Sequence, residues 1–419
     1  MVQSSQGRAL ADVLDAAEAA SPVEAVEAVT REVGVALGAS AVSFLIADFG
    51  GRALVRLAHV PIDDAGGSRQ HGEEVATVLP FDGSLTEQAL RTQTVQVAAR
   101  SEDWMVLAPV TERGEAIGLL EMVLPEEPTA QALGEITRTA HALAFVVIAN
   151  RRHTDLFEWG QRTTPFTLSA EIQRRLLPGA FTCEASAFTL SGWLEPAASI
   201  GGDTFDYSLA RDVLHFSVTD AMGHGVASAL TATLGVGSLR NTRRRGADLV
   251  EQADVANAAV AEHAGVRGSY VTAVLGRLDL RTGVCAMLNA GHVPPLLVRR
   301  GETQPLRLPG NFPLGMFSEA DFLKEEITLQ PGDRLVVVTD GMLERNAADL
   351  DLPGVLGAIG DLHPREAVRA LADAVLEVGG PTLADDATLL IIDWYGGHGA
   401  DRRSSAGADL DRASVALLE

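Results

Sequence analysis

The alternation of apolar and polar side chains between residues 203 and 220 predicts a β-hairpin whose open end carries two carboxylates. Arg211 and Asp212 suit a two-residue turn, and counting outward from that turn places Asp203 directly opposite Asp220. On the face that carries the two aspartates, the positions between are apolar and form the pairs Leu209 with Leu214, Tyr207 with Phe216, and Phe205 with Val218. Polar residues alternate with them onto the other face. A slip of register or a bulge, which would leave one aspartate to cap a turn, is the alternative.

Two carboxylates that face each other on a sheet repel, and the repulsion grows as water is excluded from around them. Such a pair requires either a shared proton or a bound cation. A hard divalent cation is the simpler solution, since carboxylate oxygens are its usual ligands. The pattern therefore predicts a metal site at the open end of the hairpin.

Residues 20–130 show the mixed helix and strand periods of one small α+β domain. A helix is predicted at Pro22–Leu37, where Val26, Val29 and Val33 recur on one side. Strands are predicted at 41–47, 51–60, 75–79, 94–98, 104–110 and 116–124, with a short helix at 84–91. Residues 1–19 would precede this domain as a tail.

Two stretches of this domain, GASAVSFLIAD at 38–48 and LAPVTERGEAIGLLEMVLPEEPT at 107–129, resemble a GAF sensory domain. The resemblance implies an N-terminal α/β sensor for a small molecule. A dimerisation domain without a ligand is the alternative. No Cys or His in the domain is placed as a ligand for haem or bilin.

The segment 131–178 predicts helices that link this domain to the remainder of the chain. Apolar and small residues recur there at alternating spacings of three and four, which is typical of a coiled-coil seam. The seam consists of Ile136, Ala140, Leu143, Val147, Asn150, Thr154 and Phe157. It predicts a parallel homodimer in which Asn150 fixes the register, and a helix packed against its own domain is the alternative. A second linker helix is predicted at Leu168–Leu177.

Short strands and turns dominate residues 179–396 and predict a β-sandwich flanked by helices. The apolar run Leu335–Val338 predicts a strand buried on both faces, and it leads through Thr339 into Asp340. The last predicted strand, 389–392, follows Asp385 and Asp386. Other strands are predicted at 188–195, 270–280, 284–289, 295–299 and 304–308, and helices at 226–240, 248–263 and 365–378. Residues 397–419 are rich in Gly, Ser and Asp and predict a disordered tail.

Composition narrows the classes of function. The 419 residues carry a net charge of −23, which argues against nucleic acid because phosphate binding needs a basic face. The basic cluster at 243–245 is explained as a solvated helix end. Cys183 and Cys285 are too far apart in sequence to suggest a disulfide framework or a zinc site. The absence of an export signal and of an apolar run of about twenty residues predicts a cytoplasmic protein without a membrane span.

Acidic residues recur where an apolar strand begins or ends, namely Asp203, Asp220, Asp340 and either Asp385 or Asp386. We expect four carboxylates to gather at one edge of the sandwich, although an aspartate followed by glycine also occurs in ordinary turns. An all-oxygen ligand set without His or Cys selects Mg²⁺ or Mn²⁺ over zinc. Two such ions about 3.5–4 Å apart are the usual apparatus for hydrolysis of phosphate esters.

Six motifs in the second half of the chain carry a further resemblance: GGDTFD, DAMGHG, NAGHVPPLL, FPLGM, TDGMLE and DDAT. In this order they are similar to the bacterial branch of the protein phosphatase 2C (PPM) superfamily typified by stage II sporulation protein E. AEIQRRLLP at Ala170–Pro178 resembles the helix that precedes the core of that branch. The resemblance implies an α-β-β-α sandwich, the PPM phosphatase fold, for residues 179–396, and thus an α+β chain.

The resemblance also implies that the acidic residues hold two Mn²⁺ or Mg²⁺ ions. Asp220 corresponds to the carboxylate shared by both ions, and Asp203 to a direct or water-mediated ligand. Asp340 and Asp385 correspond to ligands of the second ion, and Asp386 is the alternative to Asp385.

Residues near the shared aspartate have implied roles as well. Ala221 corresponds to a residue that gives its backbone carbonyl to a metal ion. His224 is a candidate to donate a proton to the leaving serine oxygen, and a histidine hydrogen-bonded to the loop is the alternative. Asn289, Gly291 and His292 are interpreted as structural support.

The function implied by the resemblance is hydrolysis of phosphoserine or phosphothreonine on a protein, with in-line attack of hydroxide on phosphorus and no phosphoenzyme. The implied substrate is a small phosphorylated anti-sigma-factor antagonist, whose dephosphorylation releases a sigma factor. We expect the N-terminal domain and the helices of 133–177 to set the activity. Two alternatives stay open: a pseudophosphatase that binds a partner without turnover, and a nucleotide phosphodiesterase, which the lack of a His-rich metal set disfavours.

Overall fold

A computed structural model of the chain describes residues 12–62, 77–195, 201–264, 268–343, 350–379, 386–397, 404 and 407–412. The chain forms two compact units. One consists of Met1–Pro165 with Arg403–Glu419, and the other of Phe166–Arg402. Their boundary lies inside the segment 131–178 that the sequence predicts as a linker.

The unit that begins the chain is built on a six-stranded antiparallel sheet. Its strands are β1 Ala41–Ala47, β2 Ala53–Pro61, β3 Thr77–Pro80, β4 Gln96–Ala99, β5 Trp104–Glu112 and β6 Glu115–Leu124. They lie in the order β3-β2-β1-β6-β5-β4. Its helices are α1 Ala25–Leu37, α2 Leu85–Thr92, α3 Ala130–Asn150 and α4 Leu156–Gly160. The predicted strands and helices of this region occur within a few residues of their predicted positions.

The prediction of a coiled-coil seam along α3 is wrong. The helix ends at Asn150 instead of continuing to Phe157. The apolar members of the seam are buried in the core of their own unit: Ile136, Ala140, Leu143, Val147 and Phe157. Over a helix of this length, a 3.5-residue period and the 3.6-residue period of a stripe facing a sheet differ little. The alternative of a helix packed against its own domain is confirmed, and a homodimer stays a prediction that cannot use this seam.

By length and composition alone, α3 is long and apolar enough to cross a membrane. Its face with Ile136, Ala140 and Leu143 is nevertheless buried against the sheet and α1. The core helix of a globular unit meets the same criterion, so this finding is weak evidence for a membrane span. The absence of a membrane span stays a prediction.

Both predicted tails are structured in part. Residues 12–19 are helical, and Val13 is buried in the core of the unit. Near the other end of the chain, the carbonyl of Gly407 accepts a hydrogen bond from the Gly114 N–H at 2.8 Å, and Ala408 is buried. Prediction of disorder for 397–419 is therefore wrong for 407–412, because main-chain hydrogen bonding to the β5–β6 turn does not show in composition.

The other unit contains two antiparallel sheets. A five-stranded sheet consists of β9 Asp203–Leu209, β10 Val213–Ala221, β11 Val271–Asp279, β12 Val284–Ala290 and β15 Glu325–Thr328. A six-stranded sheet consists of β7 Thr182–Glu184, β8 Phe188–Glu195, β13 Leu296–Arg299, β14 Glu302–Pro305, β16 Arg334–Val338 and β17 Ala387–Trp394. Its helices are α5 Leu168–Leu176, α6 Gly225–Arg244, α7 Leu249–Ala264, α8 Leu352–Ala358 and α9 Pro364–Gly379. The sequence did not predict β7, β15 and α8, which are short.

The two sheets face each other across one hydrophobic core. Phe205 and Val218 of the five-stranded sheet belong to the same buried cluster as Leu390 of the six-stranded sheet. On the outer side of the six-stranded sheet, α8 and α9 pack against β16 and β17. On the outer side of the five-stranded sheet, α5, α6 and α7 pack against strands β10, β11 and β12. The unit is therefore a β-sandwich with helices on both outer faces.

The register predicted for the β9–β10 hairpin is confirmed at every predicted pair. Asp203 lies opposite Asp220, and no bulge interrupts the strands between them. On the outer face of the hairpin, Asp206 is buried and forms ion pairs of 2.8 Å with Arg240 and with Arg243 of α6. The prediction of a solvated basic cluster is wrong for Arg243, because the helix end lies over this buried carboxylate.

Truncating side chains of β9 tests whether its inward face contributes to the core between the two sheets. Phe205 is fully buried, and its ring lies directly over Gly192 of the opposite sheet. Phe205→Ala is expected to lower the free energy of unfolding by about 3–5 kcal/mol, because it leaves a cavity between the sheets. Leu209→Ala on the same strand, where 43% of the side chain is exposed, should change it by less than about 0.5 kcal/mol. Chemical denaturation measures both, and equal losses would contradict the layered core.

Candidate metal centre

The open end of the β9–β10 hairpin carries the directly opposed pair Asp203 and Asp220. Asp203 is 2% exposed, whereas Asp220 is only partly buried. β9 is the edge strand of its sheet, and on the other side of β10 the strand β11 places Thr272 opposite Asp220. The pair therefore lies at one end of the five-stranded sheet.

The six-stranded sheet contributes Thr339 to the same place. β16 ends at Val338, and the hydroxyl of Thr339 donates a hydrogen bond to Asp203 Oδ2 at 2.7 Å. The oxygen of that hydroxyl accepts a hydrogen bond from the backbone N–H of Thr388 on β17 at 2.9 Å. Because one hydroxyl connects Asp203 with two strands of the opposite sheet, the ends of the two sheets meet at this point.

The segments that carry Asp340 and Asp386 are in direct contact. Asp340 begins a 3₁₀ turn, Asp340–Met342, at the end of β16, and Asp386 immediately precedes β17. A Cβ atom at Gly341 would overlap the backbone carbonyl of Asp386. Only glycine allows these two segments of the chain to pass so closely, which explains the glycine of the TDGM sequence. The convergence predicted from strand ends thus extends to Asp340 and Asp386.

Three nitrogen donors hold the carboxylate of Asp386, and all three act on its Oδ2 atom. The side-chain amide of Gln173 donates at 2.7 Å, and the backbone N–H groups of Gly202 and Asp203 donate at 3.1 and 3.5 Å. Asp386 is 2% exposed, so these bonds compensate part of its lost hydration. Gln173 is the residue of this site that the sequence did not identify. Its position beside the apolar stripe of α5 was the available signal.

Burial and like charge act together on Asp203. Burial raises the pKa of its carboxyl well above the ordinary value, and the neighbouring carboxylates of Asp220 and Asp386 raise it further. The hydrogen bond from Thr339 opposes the rise in part. Three carboxylates therefore share one small region where full ionisation is unfavourable. This is the electrostatic situation that a bound cation relieves.

The donor set fits a hard divalent cation, because it consists of carboxylates without His or Cys. In the part of the chain that the structure describes, however, no group of three or more His, Cys, Asp or Glu side chains is already placed around one ion. Asp385 lies outside the described residues. Ala221 is buried at the end of β10, and its carbonyl oxygen would lie 2.5 Å from a Cβ atom at Gly202.

The predicted histidines occupy different environments. His224 is exposed at the N-cap of α6 and makes no capping hydrogen bond through its side chain. His292 is buried, and burial lowers its pKa to about 4. Its Nδ1 lies 2.6 Å from Thr272 Oγ1, and the Asn289 side chain bonds both the N–H and the carbonyl of His292. The positions of Asn289 and His292 fit structural support, and His224 is the histidine that solvent reaches.

Replacement of Asp203 tests the crowding of charge. Its raised pKa means that, without divalent ions, the folded state loses stability as pH rises from about 4, the pKa of an unfolded Asp, through the pKa of the folded state. Asp203→Asn is expected to be more stable than the wild type at pH 8 in EDTA, by about 1.4 kcal/mol for each unit of raised pKa. Thermal unfolding at pH 5 and pH 8 measures this, with Asp361→Asn at an exposed site as the control. A variant less stable than the wild type at pH 8 would contradict the crowding.

Comparison with known proteins places these residues in a family. Residues 210–395 match the sequence profile of stage II sporulation protein E (SpoIIE). Protein IcfG of Synechocystis sp. (strain ATCC 27184 / PCC 6803 / Kazusa) is 23% identical over 202 residues, which are 42% of this chain and 32% of IcfG. The phosphoserine phosphatase RsbU of Bacillus subtilis (strain 168) is 20% identical over 231 residues, which are 54% of this chain and 68% of RsbU. The chain thus spans about a third of IcfG and two thirds of RsbU.

Among solved structures, the RsbU and RsbW domains of Rv1364c from Mycobacterium tuberculosis are 27% identical to this chain, with a TM-score of 0.44. The match covers 50% of this chain and 62% of that one. The profile match includes Asp220, Asp340 and Asp386 of the acidic cluster, while Asp203 and Gln173 precede its first residue. Residues 210–395 therefore form a domain of the stage II sporulation protein E family, the PP2C phosphatase branch that the sequence motifs resemble.

Proposed function

We propose that residues 179–396 form a metal-dependent phosphatase that hydrolyses phosphoserine or phosphothreonine on a regulatory protein. The observation that carries the proposal is the buried Asp203 carboxylate, which lies among Asp220 and Asp386 where two sheets meet. Such a cluster is tolerable at neutral pH when divalent cations neutralise it. Membership of the PP2C branch supports phosphate-ester hydrolysis as the use of those cations.

The ions would be two Mn²⁺ or Mg²⁺, held by residues from separate strands. Asp220 would bridge them, Asp203 would bind directly or through water, and Asp340 and Asp385 would bind the second ion, with Asp386 as the alternative to Asp385. When bound, the pair of ions supplies Lewis acidity that lowers the pKa of water and offsets the charge on phosphoryl oxygens.

The chain's own residues would keep that geometry. The backbone carbonyl of Ala221 would provide a further oxygen ligand. Thr339 orients one oxygen of Asp203 by its 2.7 Å hydrogen bond. The exposed His224 is close enough in sequence to Asp220 to meet a substrate from solvent, and it would donate a proton to the leaving serine oxygen.

The substrate would be a phosphorylated anti-sigma-factor antagonist. RsbU, to which 54% of this chain is similar, is named a phosphoserine phosphatase, and this name supports a phosphoserine protein as substrate. The GAF-like N-terminal unit would regulate the activity through the segment 131–178, in a cytoplasmic homodimer that binds no nucleic acid.

A pseudophosphatase that binds a partner without turnover is the second candidate. One observation favours it: no three metal-ligating side chains among the described residues are already arranged around one ion. The presence of acidic residues at each of the expected positions favours the enzyme instead. The two candidates differ in turnover and can be separated directly.

Turnover is tested on p-nitrophenyl phosphate with millimolar Mn²⁺. Asp340→Asn should lower kcat/KM at least about 100-fold, since loss of a direct ligand should exceed the 10–100-fold typical of residues that only orient ligands. Asp361→Asn, an exposed residue of the same unit, should stay within about twofold of the wild type. Absence of Mn²⁺-dependent turnover in the wild type would support the pseudophosphatase.

The role of His224 is tested with two leaving groups. His224→Asn keeps a residue that caps helices well, so α6 should be preserved. On a phosphoserine peptide the variant should lose about 10²-fold or more in kcat, which is the lower range for general acid catalysis. On p-nitrophenyl phosphate it should lose little, because p-nitrophenolate leaves without a proton. Equal losses on both substrates, or none on either, would rule out proton donation.

A further inference from the structure

The segment between β14 and β15 exposes four large apolar side chains in one place. They are Phe312, Met316, Phe317 and Leu323, which are 59%, 39%, 48% and 60% exposed, and together they form the loop surface. The rings of Phe312 and Phe317 meet edge to face, with 4.8 Å between their centroids. Apolar side chains scattered singly over a surface are ordinary, whereas a contiguous group of them marks a contact surface for another molecule.

Side-chain amides hold the main chain of this segment in one position. The Asn257 side chain on α7 accepts a hydrogen bond from the Gly315 N–H at 2.7 Å and donates one to the Phe317 carbonyl at 3.0 Å. The Asn311 side chain likewise accepts from the Leu323 N–H at 2.8 Å and donates to the Leu323 carbonyl at 3.0 Å. The apolar side chains are therefore presented to solvent on a fixed backbone, which reduces the entropy that binding of a partner would cost.

The loop surface lies beside the candidate metal centre. Two main-chain hydrogen bonds of 2.8 and 2.9 Å join Leu314 to Val271 of β11, and Val271 lies opposite Ala221 of β10. Because adjacent strands are about 4.8 Å apart, the backbone of Leu314 lies about 10 Å from that of Ala221. Asp220 directly precedes Ala221. An extended segment of about three residues spans this distance.

Acidic side chains lie next to the loop surface. Asp321 is exposed in the same segment, and Asp254 and Glu251 are exposed on α7. Partial burial raises the pKa of the Asp254 carboxyl, and the negative charge of Asp321 raises it further. Asp248 and Glu251 add to this effect, although Lys324 forms an ion pair of 3.1 Å with Asp248. A partner that fits this rim carries positive charge beside its apolar contact.

We propose that the loop surface is the docking site for the phosphoprotein substrate, which contacts it with an apolar side chain flanked by basic residues, about three residues from the phosphorylated Ser or Thr. This inference rests on the proposed function, because the phosphoryl group must reach the metal centre while the adjoining part of the substrate lies over the loop surface. Phe and Met side chains supply the buried anchor of such a contact, and the acidic rim selects among partners. A second copy of this chain fits less well, since each copy carries a net charge of −23.

The test measures kcat and KM of the full-length protein with Mn²⁺, on synthetic phosphoserine peptides and on p-nitrophenyl phosphate. One peptide carries the sequence Arg-Phe-Arg centred three residues from the phosphoserine on each side. A second peptide replaces each Phe by Ser, and a third replaces each Arg by Glu. The variants are the double substitution Phe312→Ser with Phe317→Ser, and the single substitution Asp321→Lys. Leu209→Ser is the matched control, because Leu209 is 43% exposed at the turn end of the β9–β10 hairpin, away from Asp203.

The wild type is expected to hydrolyse the Phe peptide with a kcat/KM at least about fivefold above that of the Ser peptide, the effect of one anchor residue. The double variant should raise KM for the Phe peptide at least about fivefold at unchanged kcat, because docking contacts are made equally in the ground state and the transition state. Its kinetics on p-nitrophenyl phosphate should stay within about twofold of the wild type, as should all kinetics of Leu209→Ser. Asp321→Lys should reduce the preference for the Arg peptide over the Glu peptide.

Several outcomes would overturn the docking site. Turnover of p-nitrophenyl phosphate without a preference among the peptides, or equal KM values of the wild type and the double variant, leaves the proposed function standing and removes this inference. A wild-type dimer that dissociates in the double variant, measured by sedimentation, assigns the loop surface to a second copy instead. Absence of turnover on every substrate overturns the proposed function together with the docking site.

A further variant covers a failure of the double variant to fold. Leu323→Ser then takes its place, because Leu323 is 60% exposed and its replacement leaves the paired rings of Phe312 and Phe317 intact. The same rise in KM for the Phe peptide at unchanged kcat is required of it. A KM within about twofold of the wild type overturns the proposal.

Discussion

The burial of one carboxylate beside two others is the constraint on which the second unit depends. Asp203 is almost inaccessible to water, and Asp220 and Asp386 oppose its ionisation. Removing a charge from water costs several kcal/mol even after the surroundings relax. The hydrogen bond from Thr339 compensates part of such a cost. The β-sandwich holds the acidic residues in place through its hydrophobic core. The crowded charge at its edge is what a bound cation would relieve.

The site is distributed over segments that are far apart in the sequence. The sheet ladder fixes Asp203 against Asp220, and the close passage at Gly341 fixes Asp340 against Asp386. These two halves belong to different sheets, which share a hydrophobic core. Polar contacts from Thr339 and Gln173 therefore set how the halves meet, and apolar packing, which is non-directional, sets only how far apart the sheets lie.

The parts of the fold that local geometry determines are the ones that follow from the sequence. A two-residue turn and a side-chain period of two determine the partner of every residue in β9 and β10, and the opposed aspartates follow. Strand ends likewise indicated Asp340 and the pair Asp385 and Asp386, of which the structure describes Asp386. The contacts of Gln173 could not be predicted, because its partners are 30 and 213 residues away and no neighbouring residue indicates them. Register is a local property, whereas the contacts of a buried amide depend on the whole fold.

Helices α3 and α5 both show that the partner of a helix face cannot be predicted from the helix alone. Periodicity identifies the face of a helix that is to be covered and says nothing about what covers it. On α3 the apolar stripe suited a second chain, but the sheet of its own unit occupies it. On α5 the side chain of Gln173 contacts the acidic site, which the apolar stripe of that helix does not indicate. With the α3 seam buried, a two-helix supercoil cannot form along it. On α5, by contrast, the Gln173 amide joins the helix to both sheets at the candidate metal centre, because one nitrogen donates to the main chain of β9 and to the carboxylate that precedes β17.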